Sequence, residues 1–164
     1  MGICAKELQR WVIEPTLHTM DCWSPALVQL LLATAAQESE LGQHIHGEHQ
    51  RGLGIYQISS RTHRNVWDRY LVHHPELAST VRGLASQHDF LRHPHAELTT
   101  NLSYATAIAA LIYLRNRRFK LPEKPSVTTL ARLWRRYYHR NSHVSIDAFA
   151  DRYLTLAPSG LHAA

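Results

Sequence analysis

The chain has 164 residues, 45% of them hydrophobic and 19% charged, which fits one globular domain with at most a short appendage and excludes wholesale disorder. Eighteen Lys and Arg against 13 Asp and Glu leave +5 at pH 7, and 13 histidines can add to that as the pH falls, so anionic partners are favoured: nucleic acid, anionic lipid, or a carboxylate-rich polymer mesh. Two cysteines, Cys4 and Cys22, exclude a disulfide framework and suit a reducing compartment, with a single Cys4–Cys22 bridge left open.

Residues 1–15 mix charged and apolar positions without a continuous apolar core, so no signal peptide is read there. Gly2 is followed by Lys6 where a myristoylation motif wants Ser or Thr. A first amphipathic helix is expected over 5–13, stopping before Pro15. Ser24–Pro25 opens a second helix, which should run to about residue 41 with Gly42 as its stop. Its apolar run, 26–36, is too short to span a bilayer. A Gly- and His-rich loop over 42–54 leads to the β-like stretch 55–58, then to a helix capped near Ser59 or Ser60. One short helix with irregular flanks is expected within 74–94. The longest helix is predicted over 98–119, with Leu98, Leu102, Ala105, Ala109 and Ile112 on one stripe. Two more follow, one from Ser126 and one over 146–156. The pattern is all-α, with about six or seven helices. It divides into an N-terminal helical extension (1–23), a main domain (24–157) and a frayed tail (158–164).

Glu38 is the most informative residue. With about 100° per residue and Leu27 at zero, Leu30, Leu31 and Thr34 fall within roughly 60°, Glu38 at roughly 20° and Glu40 at roughly 220°. Glu38 therefore lies within the apolar stripe, one turn before the helix end, while Glu40 faces water. Desolvation and the negative end of the helix dipole both disfavour a charged carboxylate there, as suits a general acid. The plainer alternative is a Glu that leaves the core at the helix end and pairs with an arginine.

The succession Glu38–Ser39, Gly54–Ile55–Tyr56–Gln57–Ile58 and Thr62 resembles the soluble lytic transglycosylase and goose-type lysozyme superfamily. Asn101 at the head of a long helix and Tyr137–Tyr138–His139 resemble two further elements of that family, so the likeness runs from about Ala26 to His139. Four features depart from it: Ile55–Tyr56 stands for Leu-Met, Ser60 for Pro and His139 for Asn, and the 42–54 loop lacks the usual Ala-Gly pattern. The resemblance implies a lysozyme-like fold for 24–157 and cleavage of the β-1,4 bond between N-acetylmuramic acid and N-acetylglucosamine in peptidoglycan. It implies Glu38 as the single catalytic acid and later base, with the substrate's acetamido group assisting and a 1,6-anhydro product. Gln57 would fix a sugar, Tyr56 would offer a stacking face, and Tyr138 would orient Glu38 through its hydroxyl. Ser39 and Thr62 would complete the substrate-binding set. A hydrolytic variant would need a base, for which Asp68 and Asp89 are weak candidates.

Competing patterns carry less. His44, His46 and His49 suggest zinc, but no His-Glu-x-x-His helix accompanies them, so neither metal nor cofactor is expected. Arg132, Arg135, Arg136 and Arg140 interleave with Trp134, Tyr137 and Tyr138, yet the spacing fits an aromatic core face backed by solvated arginines better than a nucleic-acid surface. A chain made in the cytoplasm with this fold would reach the wall another way. Virion association is one route: a phage tail or internal ejection protein, delivered to the periplasm, that opens peptidoglycan during genome entry. The rival expectation is a non-catalytic virion component with a degenerate cleft.

Overall fold

The frame is set by helix starts that the sequence encodes locally. The side chains of Ser24, Ser59, Asn101, Ser126 and Ser145 each accept the backbone N–H three residues on, at 3.0–3.1 Å, as N-caps do. The computed structural model describes residues 1–46 and 51–157, with the backbone alone over 87–89. The tail expected over 158–164 lies outside the described residues.

Helix α1 covers 5–19 and is built of Ala5–Leu8, a π-helical segment Gln9–Ile13 and Glu14–Thr19. It runs through Pro15 instead of stopping before it. Proline lacks an N–H and crowds the carbonyl four residues back, and the widened π turn just upstream accommodates that loss. Leu8, Ile13 and Leu17 are fully buried in the same core as the rest of the chain. Residues 1–23 are thus an integral layer of the domain.

Helix α2 (Pro25–Ser39) is followed by a hairpin of β1 (Gly52–Leu53) and β2 (Ile58–Ser59), antiparallel with Leu53 opposite Ile58. Then come α3 (Ser60–Arg69), α4 (Pro75–Leu84), α5 (Gln87–Arg92), α6 (Glu97–Thr100), α7 (Leu102–Leu114), α8 (Val127–Leu133) and α9 (Ile146–Leu156). The helix expected over 98–119 is broken: Asn101 leaves helical geometry (φ −122°, ψ 100°) to cap α7, which ends at Leu114. The 74–94 stretch holds two helices where one was expected. A π-helical turn, Trp134–Tyr138, extends α8.

Among the described residues the architecture is all-α with one small hairpin. Helices α2 and α7 touch each other and lie at its centre: Leu30–Gln37 in α2 and Tyr104–Tyr113 in α7 are buried throughout. A helix apolar on all sides is one that others surround. Buried hydroxyls find partners, Thr34 with Tyr113 at 2.8 Å and Tyr56 with Thr106 at 3.0 Å, as burial requires. Cys4 and Cys22 are free thiols; burial, with the Asp21 charge, pushes the Cys22 thiol up to about 11. Among the described residues, no helix is long and apolar enough to cross a membrane.

Candidate functional site

The C-terminal end of α2 opens onto a cleft of about 880 Å³, and Glu38 stands on its wall. The helix stops at Ser39 because Glu40, Leu41 and Gly42 all take positive φ (53°, 57° and 88°). Only glycine adopts that conformation without cost. Glu40 does not point away as the helical wheel expects: outside the helix, it too lines the cleft.

Ser39 explains part of this turn. Its hydroxyl donates to the Ile55 carbonyl at 2.6 Å and accepts the Gly42 N–H at 2.8 Å. The helix end bearing Glu38 is thereby tied to the hairpin loop bearing Gln57.

The Glu38 side chain is only 8% exposed. The Trp134 indole N–H donates to Oε1 at 2.8 Å, and His139 Nδ1 lies 3.3 Å from the same oxygen. Among the described residues nothing bonds Oε2. One carboxylate oxygen is held, and the other is left for whatever enters the cleft. The bond and charge of Glu38 raise the His139 pKa above its ordinary 6.5, partly offset by burial.

Gln57 sits on the hairpin side of the cleft at φ 49°. Its amide nitrogen donates to the carbonyls of Gly54 at 2.8 Å and His44 at 3.2 Å. Both amide hydrogens are therefore used, and the buried Oε1 has no partner. With both amide hydrogens committed and Oε1 buried, the Gln57 side chain braces the hairpin loop at the edge of the cleft. Gly52 makes room for this arrangement, since a Cβ there would lie 2.8 Å from Oε1.

Two expected roles are corrected, and a third residue is placed beside the cleft. Tyr56 is fully buried, with its hydroxyl on Thr106, so it has no face for stacking a sugar. The Tyr138 hydroxyl donates to the Tyr56 carbonyl at 2.6 Å, so Tyr138 braces the hairpin and the orienting bond to Glu38 comes from Trp134. Thr62 accompanies Tyr138 in a neighbouring cavity of about 730 Å³, which meets the Glu38 cleft at His139.

Of the candidate bases, Asp68 is exposed and lines a different depression, beside Trp67 and Arg82. The Asp89 side chain lies outside the described residues. His44 and His46 are exposed on the cleft rim, His49 lies outside the described residues, and no metal-holding cluster exists among those described.

Sequence reasoning missed Trp134, Gln37 and Arg152. The Gln37 carbonyl accepts from Arg152 at 3.3 Å, its side-chain oxygen is buried without a partner among the described residues, and both residues line the cleft. The chain positions that meet here are 96 to 115 residues apart, so no local signal marks them. No family model, no curated protein and no solved structure matches the chain.

Proposed function

We propose that the protein is a peptidoglycan-cleaving lytic transglycosylase or lysozyme with a lysozyme-like fold, acting on the β-1,4 bond between N-acetylmuramic acid and N-acetylglucosamine through Glu38. The observation that carries the reading is the carboxyl itself: nearly buried, held at Oε1 by Trp134 and His139, and unoccupied at Oε2 in a cleft large enough for sugar rings. Glu38 would protonate the leaving oxygen through Oε2, the acetamido group would assist at the anomeric carbon, and the resulting carboxylate would take the proton of the muramic acid 6-hydroxyl as the anhydro ring closes. Gln57 and Gln37 also line this cleft and would shape the space beside Glu38.

Peptidoglycan is the partner this reading supplies, with association with phage tail or internal virion proteins as its proposed setting. A non-catalytic virion component is the second reading. It is favoured by one observation: His139 already pairs with Glu38, where the resembling family has an Asn.

Mass spectrometry of products released from purified peptidoglycan tests both. Anhydro-muropeptides from wild type that vanish in Glu38→Gln support the single-acid reaction. Reducing-end products would redirect the search for a base to Glu40, the other carboxylate among the described residues lining the cleft. No release from folded wild-type protein across the pH range would refute the enzyme and leave the structural component.

A further inference from the structure

A band of arginines borders the Glu38 cleft on the side of His139. The 730 Å³ cavity is lined in part by Arg115, Arg117 and Arg140, and an adjoining depression of about 440 Å³ by Arg118, Arg135, Arg136 and again Arg140. Neither lining contains an Asp or Glu. Among the described residues, none of these six guanidinium groups has a carboxylate within salt-bridge distance. Solvated arginines on a helix face would spread apart. Here Arg115 is half-buried, and its guanidinium pKa is lowered, by burial first and then by the charge of Arg140. Like charges held together at a partly desolvated concavity are unfavourable until an anion joins them.

We propose that this arginine face is a carboxylate-binding subsite that holds the acidic substituents of the same glycan strand whose sugars occupy the Glu38 cleft. The inference rests on the peptidoglycan reading of that cleft. Continuity selects the occupant: His139 belongs to both linings, so a polymer seated against Glu38 and continuing past His139 presents its side groups to Arg115, Arg117 and Arg140. The class is a sugar chain with carboxylate-bearing branches. The carboxylates come from two sources, the lactyl ether on the ring and the peptide attached to it, and arginine pairs with either through charge-assisted bonds. A nucleic acid would offer phosphates to the same face, but it would have no use for the carboxylate at the centre of the adjoining cleft.

Binding is measured in a Glu38→Gln background, which leaves strands uncut. The probes are peptide-bearing glycan strands, strands stripped of peptide by an amidase, chitin oligomers of equal length, and a single-stranded oligonucleotide. Peptide-bearing strands should bind about tenfold more tightly than chitin oligomers, corresponding to about 1.4 kcal/mol, and added salt should remove the advantage. Arg117→Gln with Arg140→Gln, both at exposed positions, should also remove it without unfolding the protein. Loss of the advantage on stripping assigns the peptide carboxylates, and retention assigns the lactyl group. Equal binding of peptide-bearing strands and chitin, unchanged by the arginine variants, overturns the subsite and leaves the cleft reading intact. If no sugar polymer binds, both fall. Tighter binding of the oligonucleotide, lost in the arginine variants, overturns the subsite in favour of nucleic acid.

Discussion

Acid should destabilise this protein through one buried imidazole. His63, on α3, is 1% exposed and sits in a closed network. The Trp67 indole N–H donates to the Tyr104 hydroxyl at 2.8 Å, that hydroxyl lies 2.6 Å from His63 Nε2, and His63 Nδ1 lies 2.8 Å from His95 Nδ1. Tyr104 is fully buried, so its own proton needs an acceptor, and His63 Nε2 is the one within reach. This fixes the tautomer: His63 carries its proton on Nδ1 and donates it to His95. A second proton on His63 would strand the Tyr104 hydrogen.

Burial, then the neighbouring His95, lowers the His63 pKa from 6.5 to about 4. His95 is itself lowered, by burial and by Arg64, while Glu97 and Arg82 act on Tyr104. The folded pKa lies below the unfolded one, so between about pH 6.5 and 4 the unfolded chain binds a proton that the folded chain refuses. This contribution to stability is complete above pH 6.5 and is lost as the pH falls. The loss is about 2 kcal/mol by pH 5 and about 3 kcal/mol by pH 4. Urea unfolding of wild type and His63→Gln at pH 7 and pH 5 isolates it, because the other titrating groups are common to both chains. The wild-type advantage should shrink by about 2 kcal/mol between the two pH values. An advantage that does not change with pH would refute the assignment.

Trp134→Phe keeps a ring but removes the donor to Glu38, and under the proposed function it should lower the rate of glycan cleavage about 10- to 100-fold. A wild-type rate in a folded variant would remove Trp134 from its positioning role. The His139 pKa, read from its ring proton shifts in NMR, should lie above 6.5 in wild type and move back toward that value in Glu38→Gln. Since the folded value is the raised one, the His139–Glu38 contact supports the fold most below pH 6.5 and fades as the pH rises through the folded pKa. Gly54→Ala should cost about 3 kcal/mol or more in thermal or urea unfolding, because Gly54 has φ +73° and a Cβ would run into the Leu98 carbonyl. A variant as stable as wild type would show that the loop can move aside.

Where the determinants are local, the sequence is a sufficient guide. Ser24 and Ser126 open their helices as caps, and the last helix, Ile146–Leu156, has the bounds expected for it. The position of Glu38 near the end of α2 is legible for the same reason. Its surroundings are less so, because a helix surrounded on every side has no single apolar stripe from which to measure a direction. Tyr56 is assigned to the ligand by the resemblance alone, and its burial, with its hydroxyl on Thr106, returns it to the core. The resemblance likewise gives Tyr138 the orienting role, while the single stripe expected for Trp134, Tyr137 and Tyr138 passes into a π turn in which their targets diverge. Trp134 reaches Glu38, Tyr137 donates to the Arg118 carbonyl, and Tyr138 donates to that of Tyr56.

That π turn acts as a length gauge. The His139 N–H bonds the Trp134 carbonyl five residues back at 3.0 Å, and both side chains converge on one carboxylate oxygen. On an unbroken α-helix, residues five apart point about 140° away from each other. Deleting one residue within 135–137 would turn this bond into an ordinary one four residues long and leave Trp134 and the histidine about 40° apart on one face, whereas forcing the present sequence into α geometry without a deletion would turn His139 away from Glu38. The extra residue held in the π turn is therefore what lets two side chains five positions apart meet at one carboxylate oxygen.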